Sequence, residues 1–147
     1  MVQKQELKKQ EIYDGDNLLA FVLKNGEYPE GLKFYNRDED FIQVGTWNYN
    51  KGQKVKAHIH CFLNRLSKRT QEMVYLKSGK MKSNIYDEKG DLLTSIILNA
   101  GDIIVYLAGG HDFEILENNT QIFEVKNGPY LGTEKDKKII NEKKPNQ

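Results

Sequence analysis

Apolar residues along this chain gather in short runs, each the length of a β-strand, and residues that favour turns separate most of them. The runs cover residues 18–23, 32–35, 41–49, 55–60, 72–76, 81–86, 92–98, 102–107, 112–116 and 121–125. Glycine and asparagine between the runs supply the positive φ angles that tight turns require. No stretch keeps the 3.6-residue period of an amphipathic helix. The pattern predicts an all-β sandwich or barrel.

The two ends of the chain are polar and lie outside this pattern. Residues 1–10 lack any apolar period and are predicted to be a flexible arm, whereas residues 11–132 contain every strand-length run and are predicted to form one barrel domain. Residues 133–147 mix lysine with acidic residues, which fits either a short terminal helix or a disordered tail. A chain of 147 residues has room for one such domain with an ordinary core.

The composition gives no reason to expect a nucleic acid or a membrane as partner. Lys and Arg total 22 and Asp and Glu total 21, so the net charge is only +1. The longest apolar stretch, residues 103–108, is far shorter than the ~20 residues of a membrane helix, and residues 1–10 lack the apolar run of a signal peptide. Cys61 is the only cysteine, so no intrachain disulfide can form. We expect a cytoplasmic protein.

The chain has three histidines, and two of them stand two residues apart, at His58 and His60. Side chains two residues apart in a strand point to the same face, so the predicted strand 55–60 would present both imidazoles together. The same rule turns Ile59 and Cys61 to the opposite face. We therefore expect His58 and His60, but not Cys61, to bind one shared ion.

Glu72 and His111 complete a candidate metal site. Glu72 opens the next predicted strand, where a carboxylate among apolar residues is costly unless a cation meets it. His111 follows two glycines that allow a sharp turn to aim its ring inward. Each of these residues alone also fits an ordinary hydrogen-bonded or solvated position. Together, three imidazoles and one carboxylate form a set suited to one Zn, Fe, Mn, Ni or Cu ion.

The spacing of these residues resembles that of the cupin family. The first cupin motif, Gly-x5-His-x-His, a spacer, then Glu-x6-Gly, is matched by Gly52, His58, His60, Glu72 and Gly79, with a longer spacer before the glutamate. The second motif, Gly-x5-Pro-x-Gly-x2-His, is matched in part by Gly101, Leu107 in place of proline, Gly109, and His111 one residue early. The resemblance covers residues 49–126. It implies a double-stranded β-helix, or jelly-roll, barrel with a metal near its open end.

The resemblance also implies a range of activities, because cupins include isomerases, epimerases, oxygenases, decarboxylases and binding proteins. Our leading hypothesis is a metal-dependent enzyme of isomerase or epimerase type, acting on a small sugar-derived or other oxygen-rich substrate. An Fe(II)-dependent dioxygenase and a non-catalytic ligand-binding protein are the alternatives. Asn84, Tyr86 and Tyr106 are candidates for moving a proton by residue type only. No helix-turn-helix is visible, so a cupin-type regulator is not expected.

Three further segments bear on function. The spacer 61–71 is read as a loop over the barrel mouth, whose Arg65, Lys68 and Arg69 fit a solvated surface better than an anion clamp. Residues 126–130, Lys-Asn-Gly-Pro-Tyr, are similar to an ending found in uncharacterised cupins among bacterial polysaccharide genes, but a strand terminator at Pro129 and a packing aromatic at Tyr130 are the favoured explanation. Residues 18–23 have too few polar breaks for an exposed edge strand, so they pack in the core or extend a partner's sheet. Since single-domain cupins commonly pair through N-terminal strands, we expect a homodimer.

Overall fold

The computed structural model describes residues 5–140, and its strands make up three separate antiparallel sheets. In chain order the elements are β1 (Lys8–Asp14), β2 (Asn17–Lys24), β3 (Gly31–Phe34), β4 (Gly45–Asn48), β5 (Glu72–Ser78), β6 (Lys80–Tyr86), β7 (Leu92–Asn99), β8 (Ile103–Tyr106), β9 (Gly110–Ile115), β10 (Gln121–Lys126) and the short helix α1 (Thr133–Asp136). The all-β prediction is confirmed. No sheet closes into a barrel within residues 5–140. No helix among these residues is both long enough and apolar enough to span a bilayer.

The largest sheet has five strands in the order β1-β2-β8-β5-β10, and a three-stranded sheet has the order β7-β6-β9. Strands β3 and β4 form a separate hairpin. In β5 and β6 every second residue is buried, as expected of strands with one face on a core. This leaves β9 and β10 as edge strands, each hydrogen-bonded on one side only within the described chain.

Residues 18–23 of β2 are buried on both faces, because the five-stranded sheet is covered on both sides. On one face, a core cluster joins residues such as Val22 and Ile104 to Met81 and Ile85 of the three-stranded sheet. On the other face, a second cluster packs Phe21 and its neighbours against the region of the β3–β4 hairpin. Residues 18–23 thus lie in the core of this chain, which is the first of the two predicted alternatives.

The structure corrects the predicted arm and describes part of the predicted tail. Residues 8–10 belong to β1, because their backbone groups pair with β2 and this pairing does not require apolar side chains. The predicted flexible arm is therefore wrong for these residues. Residues 1–4 lie outside the described range. At the other end, residues 133–136 form the short helix of the two alternatives, and residues 141–147 again lie outside the described range.

The predicted strand at residues 55–60 is wrong, and the run at 41–49 is strand only over Gly45–Asn48. No regular element occurs between Asn48 and Glu72. The side-chain oxygen of Gln71 accepts hydrogen bonds from the backbone N–H groups of residues 41 and 42. These N–H groups are then unavailable for pairing with another strand. Residues 51–69 are exposed throughout, because no sheet edge in the described chain pairs with them and no apolar surface covers them.

Candidate functional site

A buried carboxylate and an imidazole meet between the two larger sheets. Glu72 is the first residue of β5 and His111 is the second residue of β9. Glu72 faces the same core as Val74 and Leu76, as the strand alternation predicts. Its Oε1 lies 2.9 Å from Nε2 of His111, and the glutamate side chain is only 8% exposed. The fold thus holds two metal-ligand types in direct contact, although 38 residues separate them in the sequence, from 73 to 110.

Aromatic rings fix the position of His111. Tyr106 of β8 pairs with Glu72 in the ladder, and its ring stacks on the imidazole with 3.9 Å between ring centroids. Phe113 lies on the same side of β9, at 5.4 Å from the imidazole. The hydroxyl of Tyr106 is 2.7 Å from the Ser83 hydroxyl. Burial raises the pKa of Tyr106, so its phenol stays protonated near neutral pH.

The charge state of Glu72 results from opposing effects. Burial acts to raise the pKa of this carboxyl, because a low-dielectric surrounding disfavours the anion. The hydrogen bond and the charge of His111 outweigh burial, with further help from Lys126 and Lys137, and the net effect is a pKa below the ordinary value. Glu72 is therefore anionic near neutral pH, as a metal ligand or a proton acceptor requires.

Gly109 forms the turn that brings His111 into this position. Its φ angle is +69°, in the left-handed region that favours glycine. A Cβ atom at this residue would lie 2.3 Å from the backbone carbonyl oxygen of Tyr86. The close approach of these two backbones therefore requires glycine.

We expect Gly109→Ala to destabilise the fold by about 2 kcal/mol, because it adds a backbone clash to the cost of a positive φ angle. Denaturant unfolding measures this change. Gly15→Ala is the matched control, since Gly15 has φ +56° with open space around its Cβ position. This control should lose only about 1 kcal/mol, which is the conformational cost alone. Equal losses in both variants would show that the Tyr86 contact is unimportant.

A cavity of about 740 Å³ opens beside the Glu72–His111 pair. Its walls include Tyr86, Asp112 and the C-terminal residues 136–140. Asp112 accepts hydrogen bonds from the Tyr86 hydroxyl at 2.5 Å and from the Asn84 amide at 2.7 Å. Of the three proton-transfer candidates, Tyr106 contacts His111, Tyr86 lines the cavity, and Asn84 reaches the site through Asp112. Sequence reasoning missed Asp112, although its position beside His111 on a predicted strand was a usable signal.

The four predicted ligands form two pairs in this structure. His58 and His60 lie in the exposed segment 51–69, with ring centroids 5.0 Å apart, and Nδ1 of His58 is 2.9 Å from the Lys56 carbonyl oxygen. The rings are neighbours, but not because of strand alternation. Within residues 5–140, no three side chains of His, Cys, Asp or Glu come together in a group that would hold a metal ion.

The same exposed segment carries the other side chains of the predicted loop. Cys61, Arg65 and Lys68 are exposed, and Arg69 forms an ion pair with Glu88 at 2.8 Å. These positions agree with the solvated-loop interpretation of the basic residues. Comparison with known proteins adds nothing further: no family model, no curated protein and no solved structure matches this chain.

Proposed function

We propose that this chain is a jelly-roll metalloprotein of the cupin type, holding one divalent transition metal ion with His58, His60, Glu72 and His111. The observation that supports it best is the buried Glu72 carboxylate in contact with His111 at the wall of a cavity. Carboxylate oxygen and imidazole nitrogen are the ligands that such ions prefer. A buried anion is also costly, and a bound cation would offset that cost.

The edges of β9 and β10 that lack a neighbouring strand in the described chain support the proposed jelly roll. Phe113 and Ile115 of β9 pair with Ser83 and Met81, which face the core, yet both are partly exposed. Ile122 of β10 is exposed in the same way, opposite a buried leucine. Directly paired residues share a face, so the space between β9 and β10 has apolar walls without a cover. One additional strand on each edge would fill this space and close the two sheets.

The segment 49–71 is suited to supply the missing strand on β9. Its last residues adjoin Glu72, so its C-terminal end is already anchored beside His111. Its residues 55–60 alternate between polar and apolar, as a half-buried strand requires. Pairing of this segment with β9 would turn His58 and His60 to one face, toward the Glu72–His111 pair.

The proposed reaction is isomerase or epimerase chemistry on a small sugar-derived or other oxygen-rich substrate. A bound metal ion supplies Lewis-acid polarisation of a substrate oxygen. With Glu72 and His111 holding the ion, a side chain that faces the cavity, such as Tyr86, would move the proton. Tyr106 keeps the imidazole in a fixed orientation through stacking. An Fe(II)-dependent dioxygenase and a non-catalytic binding protein are the competing functions, and metal identity with oxygen uptake distinguishes the first of them.

We expect protein purified without added metal to contain about one transition metal ion per chain by elemental analysis. Chelator should lower the melting temperature, and re-addition of the same ion should restore it, since a ligand at 100 times its Kd adds about 2.7 kcal/mol. Mg²⁺ is the control and should have no effect, because it prefers an all-oxygen site. A metal-free preparation that Zn²⁺, Fe²⁺, Mn²⁺ and Ni²⁺ all fail to stabilise would contradict the proposal.

A further inference from the structure

Within the C-terminal segment 133–140, residues 136–140 form an outer wall of the cavity that contains the Glu72–His111 pair. The helix α1 ends at Asp136, and the chain then continues without regular structure to Ile140. All five residues 136–140 line the same cavity as Glu72 and His111. The access of a ligand to the pair therefore depends on where this C-terminal segment lies.

Side chains alone attach this segment to the sheets. The hydroxyl of Thr70 donates a hydrogen bond of 2.6 Å to Oδ1 of Asp136. Ile140 lies against Gly90 and Gly110, where a Cβ on Gly110 would be only 2.5 Å from Cδ1 of the isoleucine. The backbone N–H groups of residues 135–137 donate to the carbonyl oxygens of Gly132 and Thr133, and no backbone hydrogen bond joins residues 133–140 to a strand in the described chain. Such a segment opens at a lower free energy than a strand of the sheet.

The wall also brings the positive charges of Lys137 and Lys138 to the cavity. Four carboxylates line the cavity, those of Glu72, Asp91, Asp112 and Asp136, and each of these residues has an interaction partner in the structure. By contrast, Lys137 and Lys138 have no carboxylate within ion-pair distance among residues 5–140. An ammonium group that lines a cavity without a partner favours a ligand that carries a negative charge.

We propose that residues 133–140 are a movable wall, latched by Ile140, that closes over the Glu72–His111 pair when Lys137 meets an anionic group of the ligand. Phosphate and carboxylate groups share the required chemistry. The proposal rests on the proposed function only in taking this cavity as the ligand site, and it does not depend on a bound metal. The wall would thus exclude water from the reacting pair and select acidic ligands.

Labelling of histidines with diethyl pyrocarbonate, followed by mass spectrometry, tests the latch on the full chain after chelator treatment. The exposed His58 and His60 serve as internal references, so the rate at His111 reports access to the cavity. We expect Ile140→Ala to raise the His111 rate by at least roughly fivefold, because the half-buried side chain loses most of its apolar contact. Thr70→Val should raise it as well. Leu131→Ala, an exposed position outside the cavity, should leave it unchanged.

A second arm of the same experiment tests the charge. We expect inorganic phosphate or acetate, tried separately against sodium chloride of equal ionic strength, to protect His111 in the wild type. Lys137→Ala should lose this protection, whereas Lys135→Ala, on α1 two residues earlier and outside the cavity, should retain it. An unchanged His111 rate in both latch variants would overturn the movable wall. Absent protection, or equal protection in the Lys137 variant, would overturn the anion assignment. Metal content of the same preparations reports on the proposed function separately.

Discussion

Replacing His111 by alanine is expected to lower the affinity of the chain for Zn²⁺ by at least about 100-fold. The change removes one of the two donors that the fold already holds in contact, and it leaves the Glu72 carboxylate buried without its partner. Even changes outside the ligand shell cost metal sites about 10–100-fold in affinity, so the loss of a ligand must cost more. Competition with a chromogenic chelator of known affinity measures the change.

The neighbouring Asp112 provides the matched control. It lies on the same strand, but its carboxylate binds Asn84 and Tyr86 rather than the Glu72–His111 pair. Asp112→Asn keeps the shape of the side chain and should change the Zn²⁺ affinity by no more than about threefold, through a distant and partly screened charge. If this variant lost affinity as strongly as the His111 variant, Asp112 would belong to the ligand set.

Substitution of the exposed histidines, His58 and His60, tests whether the segment 49–71 pairs with β9. Because each of them supplies a donor in the proposed four-ligand site, His58→Ala and His60→Ala should each weaken Zn²⁺ binding by at least about 100-fold, as for His111. Wild-type affinity in both variants would show that Glu72 and His111 bind the ion without them. The four-ligand site and the pairing of this segment with β9 would then both be wrong.

The sequence predicted those strands whose alternating pattern meets a neighbouring sheet. In β5, residues such as Glu72 and Val74 face the core and bury a side chain at every second position. Residues 55–60 have the same local pattern, yet Ile59 is 93% exposed and the segment is irregular. Alternation describes only the compatibility of a segment with a half-buried strand. It does not establish that a sheet edge and an apolar cover are available.

The candidate site also has contacts that the sequence predicted and contacts that it did not predict. The contact between Glu72 and His111 follows from two features visible in the sequence, a carboxylate on the apolar face of a strand and a histidine after a double glycine. The packing position of Ile140 could not be predicted from the sequence, because it depends on Gly90 and Gly110, which come together only in the folded chain. Propensity and charge pattern identify individual elements, whereas contacts between distant residues require the strand pairing.

A second large effect is expected far from the cavity, at Asp102. This residue is only 3% exposed and precedes β8. Its carboxylate accepts hydrogen bonds from the ammonium group of Lys24 at 2.9 Å, from the backbone N–H of Asn25 at 2.8 Å and from that of Asn99 at 3.0 Å. A single buried anion thus joins the end of β2 to the β7–β8 turn.

Asp102→Ala should therefore lower the free energy of unfolding by about 3 kcal/mol, since it leaves two backbone donors and an ammonium group without their acceptor. Asp102→Asn retains one acceptor oxygen and the volume of the side chain, so we expect it to lose about half as much. Asp38→Ala, at an exposed position, should change stability by less than about 0.5 kcal/mol. Urea unfolding of the three variants separates loss of the network from loss of surface charge. If the Asp102 and Asp38 variants unfolded at the same urea concentration, the carboxylate would not join these strands in solution.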